Sequence, residues 1–349
     1  MDALPLEEWQ QAWQGAVPGG GELRQVLLQL ARGEISLSGA ALLQQLMDFF
    51  LGAVKNSLWR LSALIAPAVF FGMLHRMRSA FSRPALGEAL SAACFLLIAF
   101  VLARDLGDQM ALARQSIARM ADLMEALFPL LLTLMAALGG AAGAAFFQPA
   151  LTAASGTMIA LVRSITLPLA LGAAVTAILD HLSPRIHLGR LSAFFKSAAS
   201  WTLGIGFTVF ISVTALQSLG MAAADGVGLR TAKYAVDHFV PVVGGMFADT
   251  MDTLVGASLL IKNALGMTGL AALFGAAAGP MLNTLAAAML YRACAALMEP
   301  LAQERIGSCI QEFANILMLL FIVQLTVGAM FILLVAQMLA VGNWTVMLR

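Results

Sequence analysis

Charge is what this sequence has least of. Only 11% of its 349 residues are Asp, Glu, Lys or Arg, against roughly 25% in soluble globular chains, so polar groups cannot cover a water-facing surface. An ordinary soluble domain is excluded, and the bilayer has to act as solvent. Neither sign dominates: 20 Lys and Arg stand against 19 Asp and Glu, a formal net charge of +1. Nucleic acid is therefore not an implied partner. Cysteine is scarce as well. Cys94, Cys294 and Cys309 are odd in number and form no CxxC pair, which excludes a disulfide framework and a thiolate metal site. The four histidines, His75, His181, His187 and His238, lack metal-ligand spacing. GxxxxGK[ST], HExxH and GxSxG motifs are all missing, so no enzyme and no cofactor are expected. At the start of the chain Asp2, Glu7 and Glu8 stand where a signal peptide would carry basic residues, and no apolar run follows. The expectation is a chain without a signal sequence or one that begins after its removal.

What is abundant is apolar sequence: 60% of residues are hydrophobic and the mean hydropathy is +0.88. Runs long enough to span, at roughly 20 residues per crossing, cover 58–74, 85–102, 126–146, 149–179, 198–219, 240–261, 265–297 and 314–341. The runs 149–179 and 265–297 are too long for one straight crossing. Arg163 and Pro168 interrupt the first, and the 275–280 stretch interrupts the second, so a break or re-entrant half-helix is expected in each. The predicted fold is an all-α polytopic membrane protein of about seven to ten transmembrane or re-entrant helices. Residues 1–54 form an extracytoplasmic or interfacial region of short amphipathic helices, and 55–349 form the transmembrane domain.

Lys and Arg in short loops set orientation. The connection 75–83 carries Arg76, Arg78 and Arg83, and 180–196 carries Arg185, Arg190 and Lys196. Both read as cytoplasmic, which puts the N-terminus outside. Keeping them on one side requires an even number of crossings between 85 and 179, which a span at 85–102, a hairpin over 125–162 and a separate span at 165–179 satisfy. An internal repeat is possible: His75 and His187, Arg78 and Arg190, Pro129 and Pro241, and Pro168 and Pro280 all lie 112 residues apart.

Few charges remain for function inside the membrane. Asp249 and Asp252 are i, i+3 neighbours in an apolar run that opens with Pro241, Gly244 and Gly245. A carboxylate at bilayer depth costs several kcal/mol unless paired or hydrated. The pair therefore reads either as part of a polar pathway at a broken helix or as headgroup-level residues of a shallow one. Arg163 and Lys262 each end an apolar run. They are further pathway candidates, although a snorkelling interfacial cation is the ordinary account. Pro129, Gly139 and Gly140 join Pro241, Gly244 and Gly245 as hinge or close-packing positions. Arg230, Lys233 and Asp237 share a helical face, and Glu299, Glu304 and Arg305 cluster at the last connection, both as candidate partner surfaces or plain solvated faces.

The strings Ala224-Asp225-Gly226-Val227-Gly228-Leu229-Arg230-Thr231-Ala232-Lys233, Phe239-Val240-Pro241-Val242-Val243-Gly244-Gly245-Met246, Leu260-Ile261-Lys262-Asn263-Ala264 and Leu127-Phe128-Pro129-Leu130 resemble the stage III sporulation protein AE family of endospore-forming bacteria. The likeness runs over about 40–342. It implies a mother-cell membrane component of the stage III sporulation AA to AH complex, located in the outer forespore membrane. By the same resemblance the partners are the ATPase-like AA member, the ring-forming AG and AH members, the small membrane members, and stage II sporulation protein Q. The lipid bilayer and further copies of the chain itself are the other expected contacts. The assembly is expected to act as a channel or feeding tube that supports forespore sigma factor G activity and forespore integrity. A scaffold that docks the ATPase and rings without a solute path, or a stand-alone secondary transporter, are the alternatives. The resemblance brings no catalytic residue.

Overall fold

The computed structural model describes residues 84–136, 141–182, 187–239, 244–298 and 304–347, with scattered helical positions between 44 and 70. Within these helices the side chains of 84–91, 218–255 and 341–347, among others, lie outside that description. The elements are α1 (Pro84–Met135), α2 (Ala141–Leu161), a π-helical turn (Val162–Thr166), α3 (Leu167–Leu182), α4 (Gly189–Phe239), α5 (Gly244–Met298) and α6 (Glu304–Met347). Among the described residues all structure is helical, as an apolar solvent that cannot hydrogen-bond the backbone requires.

Proline does not stop these helices. Pro129, Pro149 and Pro280 lie inside α1, α2 and α5. Nearby hydroxyls bond back to the main chain: Thr133 to the Leu130 carbonyl at 2.9 Å, Thr152 to that of Pro149 at 3.0 Å, and Thr284 to that of Pro280 at 3.1 Å. At Pro168 the helix adapts by widening. The Leu167 amide bonds to the Val162 carbonyl across the π turn, which moves aside the Ser164 carbonyl that the proline ring would meet. The expected separate span at 165–179 is thus the lower half of one rod that begins at Ala141.

Among the described residues four helices are long and apolar enough to cross a membrane: Thr152–His181, Gly189–Gln217, Leu259–Met298 and Ile306–Ala340. The described residues do not confirm a count of seven to ten. Runs read as separate have fused, since 240–261 and 265–297 belong largely to α5, without a break at 275–280, and 85–102 continues through the charged stretch to Met135 as α1. The expected run 58–74 and the tip Gly139-Gly140 fall mostly or wholly outside the described residues.

The rods alternate in direction. Arg292 Nη2 donates to Asn315 Oδ1 at 3.1 Å, and Tyr291 meets Phe313 edge-on at 4.9 Å between centroids, so α5 and α6 form an antiparallel hairpin. Ser192 Oγ donates to the Ala173 carbonyl at 2.9 Å, and Met158 and Leu161 press on Gly206, making α4 antiparallel to α2–α3. α1 packs on α5 and α6, and α4 packs on α2–α3 and α6. Lys196 and Glu312 pair at 2.5 Å near the α3–α4 turn, so that turn, the α5–α6 connection and the start of α1 share one end of the bundle. Helix starts Pro84 and Gly189, and Ala141 and Gly244, recur at offsets of 105 and 103 residues, shorter than the 112 expected from the His and Pro pairs.

Candidate functional site

α1 has two unlike faces. Its inner stripe, including Leu102, Leu106, Gln109, Ser116, Met120 and Leu127, is buried and recurs at helical spacing. The contacts along it fix how deep α1 lies. Thr284 Oγ1 donates to Gln109 Oε1 at 3.3 Å, and Gln324 Nε2 donates to Thr284 Oγ1 at 3.1 Å. Further along, Met120 faces Gly328 beside Ala277 and Met281, and the Leu127 side chain fills the space over Gly269. Residues 109–127 of α1 therefore run along the middle of the apolar spans of α5 and α6. Gln109, Thr284 and Gln324 are almost fully buried, and Ser116 Oγ and Gln324 Oε1 are buried side-chain oxygens without a hydrogen-bond partner.

The opposite face of the same turns exposes Arg104, Asp108, Arg114, Arg119, Asp122 and Glu125. None of the six is ion-paired among the described residues, where Lys196–Glu312 is the recorded pair. They extend over 22 residues, from Arg104 to Glu125, about 32 Å at 1.5 Å per step, comparable to the hydrocarbon thickness. Along this length α1 is apolar towards α5 and α6 and charged outward.

The intramembrane candidates from the sequence are dispersed. Lys262 is fully buried, and its Nζ donates to the Leu339 carbonyl at 3.2 Å. This overturns the snorkelling account for Lys262, because its ammonium is held between α5 and α6. Arg163 lies exposed on the π turn, near the middle of the apolar span Thr152–His181 and not at its end. Asp249 and Asp252 sit on the backbone of α5 and Arg230, Lys233 and Asp237 on that of α4, with their side chains outside the described residues. Gly244 and Gly245 open α5, so the expected break separates two helices and does not interrupt one. Pro241, Gly139, Gly140 and Glu299 lie outside the described residues, and Glu304 and Arg305 begin α6. Pro129 is exposed inside α1. The α1 face escaped sequence reasoning because its charges marked 103–125 as a connection. The apolar positions 102, 106, 113, 117, 120, 124 and 127 were the available signal for an amphipathic helix.

These features define a polytopic helical membrane protein with one amphipathic helix lodged against its apolar hairpin. The family profile described as Stage III sporulation protein AE matches residues 22–342, and the chain belongs to that family. A curated relative, stage III sporulation protein AE of Bacillus subtilis (strain 168), is 29% identical over 323 residues, covering 93% of this chain and 81% of the relative. No solved structure matches the chain. A role in sporulation follows from the family.

Proposed function

We propose that this protein is the membrane subunit of a transport channel built by the stage III sporulation A complex together with stage II sporulation protein Q. The setting is the mother-cell-derived outer forespore membrane, with the N-terminal region outside the mother-cell cytoplasm, and the outcome served is forespore sigma factor G activity and forespore integrity. One observation carries the reading: six exposed charges of α1 lie at the depth of the apolar spans of α5 and α6. A charge at the bilayer centre costs roughly 2.5–3.5 kcal/mol on insertion scales, so six facing lipid through the hydrocarbon depth would cost up to about 15–20 kcal/mol together. That upper bound is as large as the whole stability of a typical domain, about 5–15 kcal/mol. Water against this face removes the cost, and a continuous wet face across a membrane is one wall of a passage. Asp249 and Asp252 are proposed to extend the polar path. Pro241, Gly244 and Gly245 form its hinge, and Arg230, Lys233, Asp237, Glu299, Glu304 and Arg305 are contacts to partner proteins.

The test is solvent access. In membranes from sporulating cells, with Cys94, Cys294 and Cys309 replaced by Ala, Gln115→Cys at the centre of the charged face should react with a membrane-impermeant maleimide. Leu216→Cys, on the exposed apolar face of α4, should not. Equal inertness of both would favour the scaffold, in which the ATPase-like and ring proteins dock without a passage through this chain.

A further inference from the structure

The charged face of α1 is patterned across its width as well as along its length. At about 100° per residue, Asp108 and Arg119 lie within about 20° of each other on one flank. Arg114 and Glu125 lie within about 20° of each other on the opposite flank, about 120° away. Arg104 and Asp122 run down the centre with Ala111 and Gln115 near them. Each flank carries two charges of opposite sign 11 residues apart, and the order of signs is reversed between flanks: negative then positive at 108 and 119, positive then negative at 114 and 125. All four side chains are exposed, and none is ion-paired among the described residues.

We propose that this face is completed by further copies of the same chain, one flank of α1 docking on the other flank of its neighbour's α1. A displacement of six residues, about 9 Å along the axis, sets Asp108 beside the neighbour's Arg114 and Arg119 beside the neighbour's Glu125 at once. The contact is heterologous, because the two flanks differ. In a closed ring this stagger is taken up by a tilt of each α1 to the ring axis, about 40–45° for helices about 9–10 Å apart, an arrangement open to copies inserted in one orientation. The centre of the face, with Arg104, Gln115 and Asp122, is left towards the axis. One charge of each sign there gives a lumen wall without a single-sign ring, which suits small hydrophilic solutes of either charge. The inference rests on the wet-face reading above and adds who closes the passage.

The experiment uses the full chain in membranes from sporulating cells, with its native cysteines replaced by Ala. The double variant Asp108→Cys with Arg114→Cys, treated with a short bis-maleimide, should give a ladder of dimers and higher species, while either single variant gives none. The double variant Arg119→Cys with Glu125→Cys should repeat the ladder and guards against a misfolded first pair. Independently, Asp108→Arg or Arg114→Asp alone should lower the amount of multimer in native gels at least several-fold, and the two together should restore it. The proposal is overturned if both double variants accumulate, react with single maleimides and yield no ladder, or cross-link only to a different protein. In that event labelling at Gln115→Cys would still uphold the passage, so the two readings fail separately.

Discussion

Lys262 on α5 is joined to Leu339 on α6. The Lys262 ammonium donates to the Leu339 carbonyl at 3.2 Å, and the Leu339 side chain occupies the space over Gly266, one turn beyond Lys262. These two contacts close the α5–α6 hairpin at the end away from its turn.

Replacing Lys262 by Met keeps most of the buried volume and removes the ammonium. It is expected to leave the protein folded with a loss of about 1–2 kcal/mol, the scale of one buried hydrogen bond. Lys262→Glu aims a carboxylate at a carbonyl and should abolish accumulation in the membrane. Thermal aggregation of the detergent-solubilised protein measures the first and immunoblotting the second. Equal tolerance of Met and Glu would contradict the buried geometry.

Gly266 and Gly269 are where α5 has no room for a side chain, facing Leu339 and Leu127 respectively. Leu at either position should destabilise by about 1–3 kcal/mol through overpacking. Ala at Gly156, whose surroundings are open, should be neutral or stabilising by up to about 1 kcal/mol from helix propensity. The contrast appears in melting temperatures of the purified variants.

The Gln109–Thr284–Gln324 chain links three helices through buried groups. A double-mutant cycle of Thr284→Val and Gln324→Leu should return a coupling of about 0.6 kcal/mol, the mean for such contacts in a membrane, and not above about 1.7 kcal/mol. Additive losses would show that the two side chains do not act together.

Asp180 closes the α3–α4 turn by accepting the amides of Leu188 and of Gly189, the latter at 2.8 Å. This satisfies backbone donors at the start of α4. Asp180→Ala should cost about 1 kcal/mol, as loss of a helix cap does, with Asn retaining most of it. Faster amide hydrogen exchange at 188 and 189 is the local readout, and no change there would remove the capping role.

Much of the molecule was legible in the order of residues. Scarce charge and long apolar runs dictate helices in a bilayer, because no other open structure pairs its backbone there. The resemblance around 224–264 pointed to the family. Local sequence could not say that Pro280 and the glycines near it continue a helix. Whether a proline breaks or bends a helix depends on its surroundings as well as on the chain.

Depth was decided by tertiary structure alone. Nothing near Arg114 or Asp122 in the chain places them beside apolar spans. Their level follows from Gln109 meeting Thr284 and Gln324, residues 175 and 215 positions away. The same holds for Lys262, which ends an apolar run like an interfacial cation and is buried because α6 covers it. Composition determines that a charge in this protein has to be accounted for. Only the packing of distant helices determines whether it meets lipid, water or another side chain.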